Sequence, residues 1–200
     1  MRRIAALALL LAAACSGAKG IAEAAITAAD QAVAALPPDA AKVEPEQVRL
    51  LTQAVAGARD QLAKGDYEAA LATVKNVPAQ AQALAVSIPA SKAAFSARMD
   101  TLAVAMPRNL AAIKTKLDAL GKSKRLPKGI DAQQVQAAKD TYAAASAAWD
   151  SVMTSFRAGE MAGAMMKAMD LKARVTQSLM ALGLTADERA WSNVTLPPKQ

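Results

Sequence analysis

Alanine is the commonest residue of this chain and large packing side chains are scarce: among 200 residues there are two Phe, two Tyr and two Trp. Alanine is the best helix former but buries little area. A core built mainly from it must come from slender helices packed closely together. Valine, isoleucine and aromatics are too sparse to make pleated faces. The strongly patterned segments also repeat every three to four residues rather than every two. The composition therefore predicts an all-α, alanine-rich helical bundle.

Six helical segments can be read. The first covers 21–36 and stops at Pro37-Pro38, because proline removes a donor and restricts the residue before it. Pro45 opens the second in its first turn, and Gly65 closes it as a C-cap glycine. Asp66 caps the third, which runs to about residue 87 with Pro78 as an internal bend or break. The fourth covers 90–120. Phe95, Met99, Leu102, Met106, Leu110, Ile113, Leu117 and Leu120 form one apolar face along it, with a kink or restart at Pro107.

The fifth segment opens at Asp131, with Gln134 three residues on as a capping box. Val135, Ala138, Tyr142, Ala145, Trp149, Val152 and Phe156 follow at alternating spacings of three and four, a coiled-coil-like seam. Gly159 ends it. The sixth covers 160–182 and is closed by Gly183. In the tail, Thr185 and Glu188 form a second capping box, Trp191 is expected to plug a bundle groove, and Leu196-Pro197-Pro198 follow.

The third and sixth segments align without gaps at an offset of 94, Gly65-Asp66-Tyr67 over Gly159-Glu160-Met161. Leu36-Pro37 and Leu126-Pro127 precede them at an offset of 90. A duplicated three-helix unit, 21–88 and 89–184, has this signature. Shared alanine-rich low complexity produces such matches as well, so both explanations stand. Within 51–77, Ala58, Leu62, Gly65, Tyr67 and Ala69-Ala70 fall where tetratricopeptide hairpins place small and aromatic packing residues. The resemblance covers this one hairpin, and what it implies is protein binding.

The N-terminus carries the address. Arg2-Arg3 precede an apolar run of 11 residues from Ile4 to Ala14, and Cys15 follows the small residues Ala12-Ala13-Ala14. As a helix the run spans about 17 Å at 1.5 Å per residue, short of the roughly 20 residues a spanning helix needs. This is the build of a secretory signal peptide. With the cysteine placed after it, it resembles a bacterial lipoprotein signal. That resemblance implies cleavage before Cys15, acylation of Cys15, and a mature protein held on a membrane.

The family favours Leu three residues before the cysteine, whereas here Ala12 stands there and Leu11 one place earlier. By resemblance to enterobacterial lipoproteins, Ser16 implies the outer membrane, facing the periplasm. The alternative is a plain secreted protein cut after Ala14 or Ala18, since both sites fit a small-x-small rule. Cys15 is the only cysteine, and acylation would remove an unpaired thiol from an oxidising compartment. The divisions expected are signal peptide 1–14, lipidated N-terminus and short tether 15–20, two helical units, and a tail 185–200. Residues 16–20 could extend at most about 17 Å, which keeps the units near the bilayer.

The chain has no histidine. Ser-His-Asp and Cys-His nucleophilic sites, and His-ligated zinc or haem, are thereby excluded. No catalytic, cofactor or metal residue is assigned, and the chain is read as a non-enzyme. Without Arg2 and Arg3 the net charge falls from +7 to +5.

Three clusters have two readings each. Lys114, Lys116, Lys122, Lys124, Arg125 and Lys128, interrupted by Asp118, are either an anionic-surface contact or a solvated helix end whose cations suit the dipole. Nucleic acid is not expected, because no aromatics interleave these charges. Met161, Met165, Met166 and Met169 are either soft Cu(I) ligands or core filler. The acids Glu44 and Glu46, and Asp187-Glu188, sit at helix N-termini, where they complement the dipole. The expected function is a membrane-anchored envelope lipoprotein acting as a helical interaction or assembly module with an envelope protein partner. A periplasmic small-ligand or Cu(I) binder is the alternative.

Overall fold

In the computed structural model, residues 2–186 are described, with side chains from Gly17 onward. The protein is all-α. Seven helices follow in order: α1 (Arg2–Ala34), α2 (Ala40–Val43), α3 (Pro45–Ala63), α4 (Tyr67–Val74), α5 (Val77–Lys122), α6 (Ala132–Arg157) and α7 (Met161–Ala181). Among the described residues there is no strand. The Thr185–Glu188 capping box, Trp191 and Leu196-Pro197-Pro198 fall wholly or partly outside the described residues, as do the side chains of Arg2, Arg3 and Cys15.

The helices form two compact units, Met1–Ala90 and Ser91–Gln200. In the first, α1, α3 and α4 pack on one another and α2 lies against α3. Its core is made of small and medium residues: Ala22, Ile26 and Ala29 from α1, Leu51, Val55 and Ala58 from α3, Ala70 and Val74 from α4. Small side chains let the helices approach closely, which is how an alanine-rich sequence fills space. Asp30 on α1 accepts an ion-pair hydrogen bond from Arg59 on α3, and Thr73 Oγ1 on α4 lies 2.9 Å from Gln61 Oε1 on α3.

In the second unit α6 pairs with α7, and residues 91–122 of α5 supply the largest apolar face. All eight residues from Phe95 to Leu120 on that face are buried. Each Leu, Met or Phe so buried is worth about 1.5–3 kcal/mol, so this face is the main source of apolar stabilisation in the unit. The α6 seam also turns inward: Ala138, Ala145, Trp149 and Val152 are buried, and Val135, Tyr142 and Phe156 are half-buried. Asn109 is buried at 3 % exposure and donates from Nδ2 to the Ala105 carbonyl at 2.9 Å. Among the described residues no buried side-chain polar atom lacks a partner.

The two units share a burial register. Leu51, Val55, Ala58, Ala70, Val74, Val77, Ala81, Leu84 and Ile88 are buried, and so is every residue 94 positions later: Ala145, Trp149, Val152, Ala164, Ala168, Leu171, Val175, Ser178 and Leu182. The turns between the helices match as well. Asp66 N–H donates to the Gln61 carbonyl and Gly65 N–H to that of Leu62, while Glu160 N–H donates to Ser155 and Gly159 N–H to Phe156. Each pair is a Schellman closure. Side-chain sizes differ between partners, so each unit repeats the plan with its own packing.

Several boundaries differ from expectation. Helix α1 is already helical through residues 17–20, before the expected start at Ile21, and it ends at Ala34 rather than Leu36. Residues 16–20 are therefore helical, well short of the roughly 17 Å they could reach if extended. A four-residue helix, α2, occupies the stretch after Pro37-Pro38; it is too short to leave a readable period.

The third segment does not break at Pro78. The chain turns at Lys75-Asn76, and Pro78 stands in the first turn of α5, where a missing N–H costs little. The fourth segment does not begin at 90, because α5 runs unbroken from Val77 through Pro89 and Pro107 to Lys122. Each interior proline removes one ladder hydrogen bond, a cost of about 3 kcal/mol or more, which the buried flanking residues Ile88, Ala105, Met106 and Leu110 offset.

Candidate functional site

The six cations singled out in the sequence run from the C-terminal part of α5, with Lys114, Lys116 and Lys122, into the loop to α6, with Lys124, Arg125 and Lys128. The loop is built by its own residues. Ser123 N–H donates to the Leu120 carbonyl at 3.1 Å as the helix ends. Ile130 N–H donates to Pro127 at 3.1 Å, closing a four-residue turn with Lys128 at its corner. Gly129 takes φ +88° in that turn, a conformation that favours glycine.

Asp131 then starts α6. Its Oδ1 accepts from Gln134 N–H at 2.7 Å, and Gln134 Oε1 accepts from Asp131 N–H at 2.8 Å. The capping box read from the sequence is formed.

Only Lys122 lies in the last turn of α5. Lys124, Arg125 and Lys128 stand beyond the helix end, and all four side chains are exposed. The helix dipole acts within the last turn, so it accounts for Lys122 and not for the other three. None of the four makes an ion pair among the described residues. Lys114, by contrast, donates to Asp118 Oδ2 at 2.8 Å. That hydrogen bond and the attraction of the carboxylate raise the Lys114 ammonium above the ordinary lysine value. The same hydrogen bond, with the Lys114 and Lys122 charges, holds the Asp118 carboxyl below its ordinary value.

Two residues not singled out for this charge cluster join the region. Lys139 and Tyr142 of α6 line one shallow hollow with Lys114, Asp118 and Lys122 of α5. Tyr142 belongs to the α6 seam and Lys139 stands three residues before it, one helical turn away, which was the available signal. Leu126, 39 % exposed, sits among the loop cations.

The methionine face points into the core. Met165 is 1 % exposed, Met161 and Met169 are half-buried, and Met166 stands apart at 61 %. Glu46 accepts from Arg49 Nη2 at 2.6 Å on the surface of α3. Glu44 is the residue before α3 and makes no side-chain capping bond. Asp187-Glu188 lie outside the described residues, and the side chain of Cys15 does too. Among the described residues no three of His, Cys, Asp and Glu gather as a metal-binding group. No family model matches this chain, and no curated protein or solved structure is significantly similar to it.

Proposed function

We propose that this chain is an exported lipoprotein of the bacterial cell envelope, acylated at Cys15, whose helical units serve as a non-enzymatic interaction or assembly module. The observation that carries the reading is the order Arg2-Arg3, apolar Ile4–Ala14, then the only cysteine of the chain. That order suits export followed by acylation.

The geometry of α1 supports it. Among the residues whose side chains are described, the first buried in the core is Ala22. It lies seven residues after Cys15, about 10 Å along a helix. A lipid on Cys15 would therefore hold the first unit close to the headgroups, with the exposed helix faces as the surface offered to an envelope partner. A diacyl anchor supplies the second chain that stable attachment requires.

The test is made on cells producing the chain. Metabolic labelling with a clickable fatty acid, followed by membrane fractionation, is expected to find the protein labelled and membrane-bound, with both properties lost in Cys15→Ala. Crosslinking in intact envelopes reads the second half of the proposal. A reproducible adduct lost on substitution of exposed helix residues supports a partner, and a protein that crosslinks to nothing argues against one.

A further inference from the structure

We infer that the α5–α6 loop is a contact site for an anionic phospholipid surface. The charge distribution carries this. The chain holds +7, of which Arg2 and Arg3 supply two. Residues 114–128 hold six bases against the single acid Asp118, a net +5. From Cys15 onward, the rest of the chain is therefore balanced, acid for base. All of the excess sits at one end of one unit.

The structure then sorts these cations. Lys114 is occupied by Asp118. Lys122 at the end of α5, Lys124 and Arg125 after it, and Lys128 on the Pro127–Ile130 turn are all exposed, without ion pairs among the described residues. The nearby acid Asp131 is committed to capping α6. The helix dipole explains one of the four.

The chemistry of the patch fits a diffuse plane of charge. Three of the four are lysines, compact point charges rather than planar forks that grip one carboxylate. The shallow hollow nearby takes in only Lys122 of the four, and the Asp118 carboxylate lines it too, so it does not gather the loop cations around a single anion. Leu126 is exposed at their centre, with Pro127 beside it, so an apolar tip would meet the acyl boundary while the charges meet headgroup phosphates. Each such cation near an anionic bilayer is worth about fivefold in affinity. The contact does not depend on acylation of Cys15 and is tested without it.

The test uses the full chain carrying Cys15→Ser, with vesicles of phosphatidylcholine alone or with about one third phosphatidylglycerol. The expected result is preferential sedimentation with the anionic vesicles, weakening as salt is raised. Replacing Lys122, Lys124, Arg125 and Lys128 together by Gln is expected to reduce that preference by roughly 600-fold, with helical content and thermal midpoint unchanged. The N-terminal apolar run and Arg2-Arg3 are common to both proteins, so the comparison isolates the loop. Equal partitioning of parent and variant overturns the inference. Displacement by millimolar inorganic phosphate would mean a free-phosphate site, and binding to heparin but not to vesicles would mean a soluble polyanion; either overturns it too.

Discussion

Gly65 and Gly159 hold the same left-handed backbone, φ +81° and +87°, at the same place in the two helical units. Each lets a long helix end in a Schellman closure and the next helix begin within two residues. A Cβ built on either meets nothing within 4 Å, so space is not the constraint; the backbone is.

Gly159→Ala is accordingly expected to destabilise the protein by about 1–2 kcal/mol, the cost of a left-handed L-residue. Gly163 lies inside α7, where a Cβ is equally unopposed, and Gly163→Ala is expected to stabilise by about 0.5–1 kcal/mol. Urea unfolding followed by circular dichroism checks both, and the opposite signs of two Gly→Ala changes four residues apart are the diagnostic.

Met106 and Met166 give a second contrast. Met106 is fully buried on the α5 face, whereas Met166 is 61 % exposed on α7. Met106→Ala is expected to cost about 2–5 kcal/mol, and Met166→Ala to stay within about 0.5 kcal/mol. Equal effects in denaturant melts would contradict the inward orientation of the α5 stripe.

The cap of α6 is a third. Removing the carboxylate in Asp131→Ala leaves the Gln134 N–H without its acceptor, while the backbone N–H at 131 can still donate to Gln134 Oε1, a loss of about 1 kcal/mol. Asp131→Asn, which keeps an acceptor oxygen, is expected to retain most of the stability in the same melts.

The Lys114–Asp118 pair makes stability weakly pH-dependent at both extremes. Asp118 titrates lower when folded than its ordinary 3.8, so its share is present above that value and lost as pH falls through the folded one. Lys114 titrates above its ordinary 10.5, so its share is present below that value and lost as pH rises through the folded one. Both side chains are more than half exposed, so salt screens the effect. A double-mutant cycle with Lys114→Met and Asp118→Asn should show coupling at neutral pH and low salt. The coupling should vanish in strong acid and in high salt.

The parts of the fold legible in sequence were those set by local chemistry. The stripe from Phe95 to Leu120, the Asp131–Gln134 box and the glycines at 65, 159 and 183 each state their structure within a turn or two. The misread parts were decided by packing. Pro78 looked like a break inside a helix because the true break, Lys75-Asn76, contains no strong breaker. Pro107 looked like a restart, yet buried neighbours on both sides carry α5 through it.

The cationic loop was visible as a run of bases, but its separation from the helix end was not. That depended on where α5 stops, and helix ends are set by capping bonds such as Ser123 to Leu120.

The most direct test of the proposed anchor is mass spectrometry of the mature N-terminus, on protein purified from the membranes of producing cells. A chain beginning at Cys15 and carrying a diacylglyceryl mass, lost in Cys15→Ala, is the expected result. An unmodified N-terminus at Cys15 or at Lys19 would contradict it, and would make this a plain secreted helical protein.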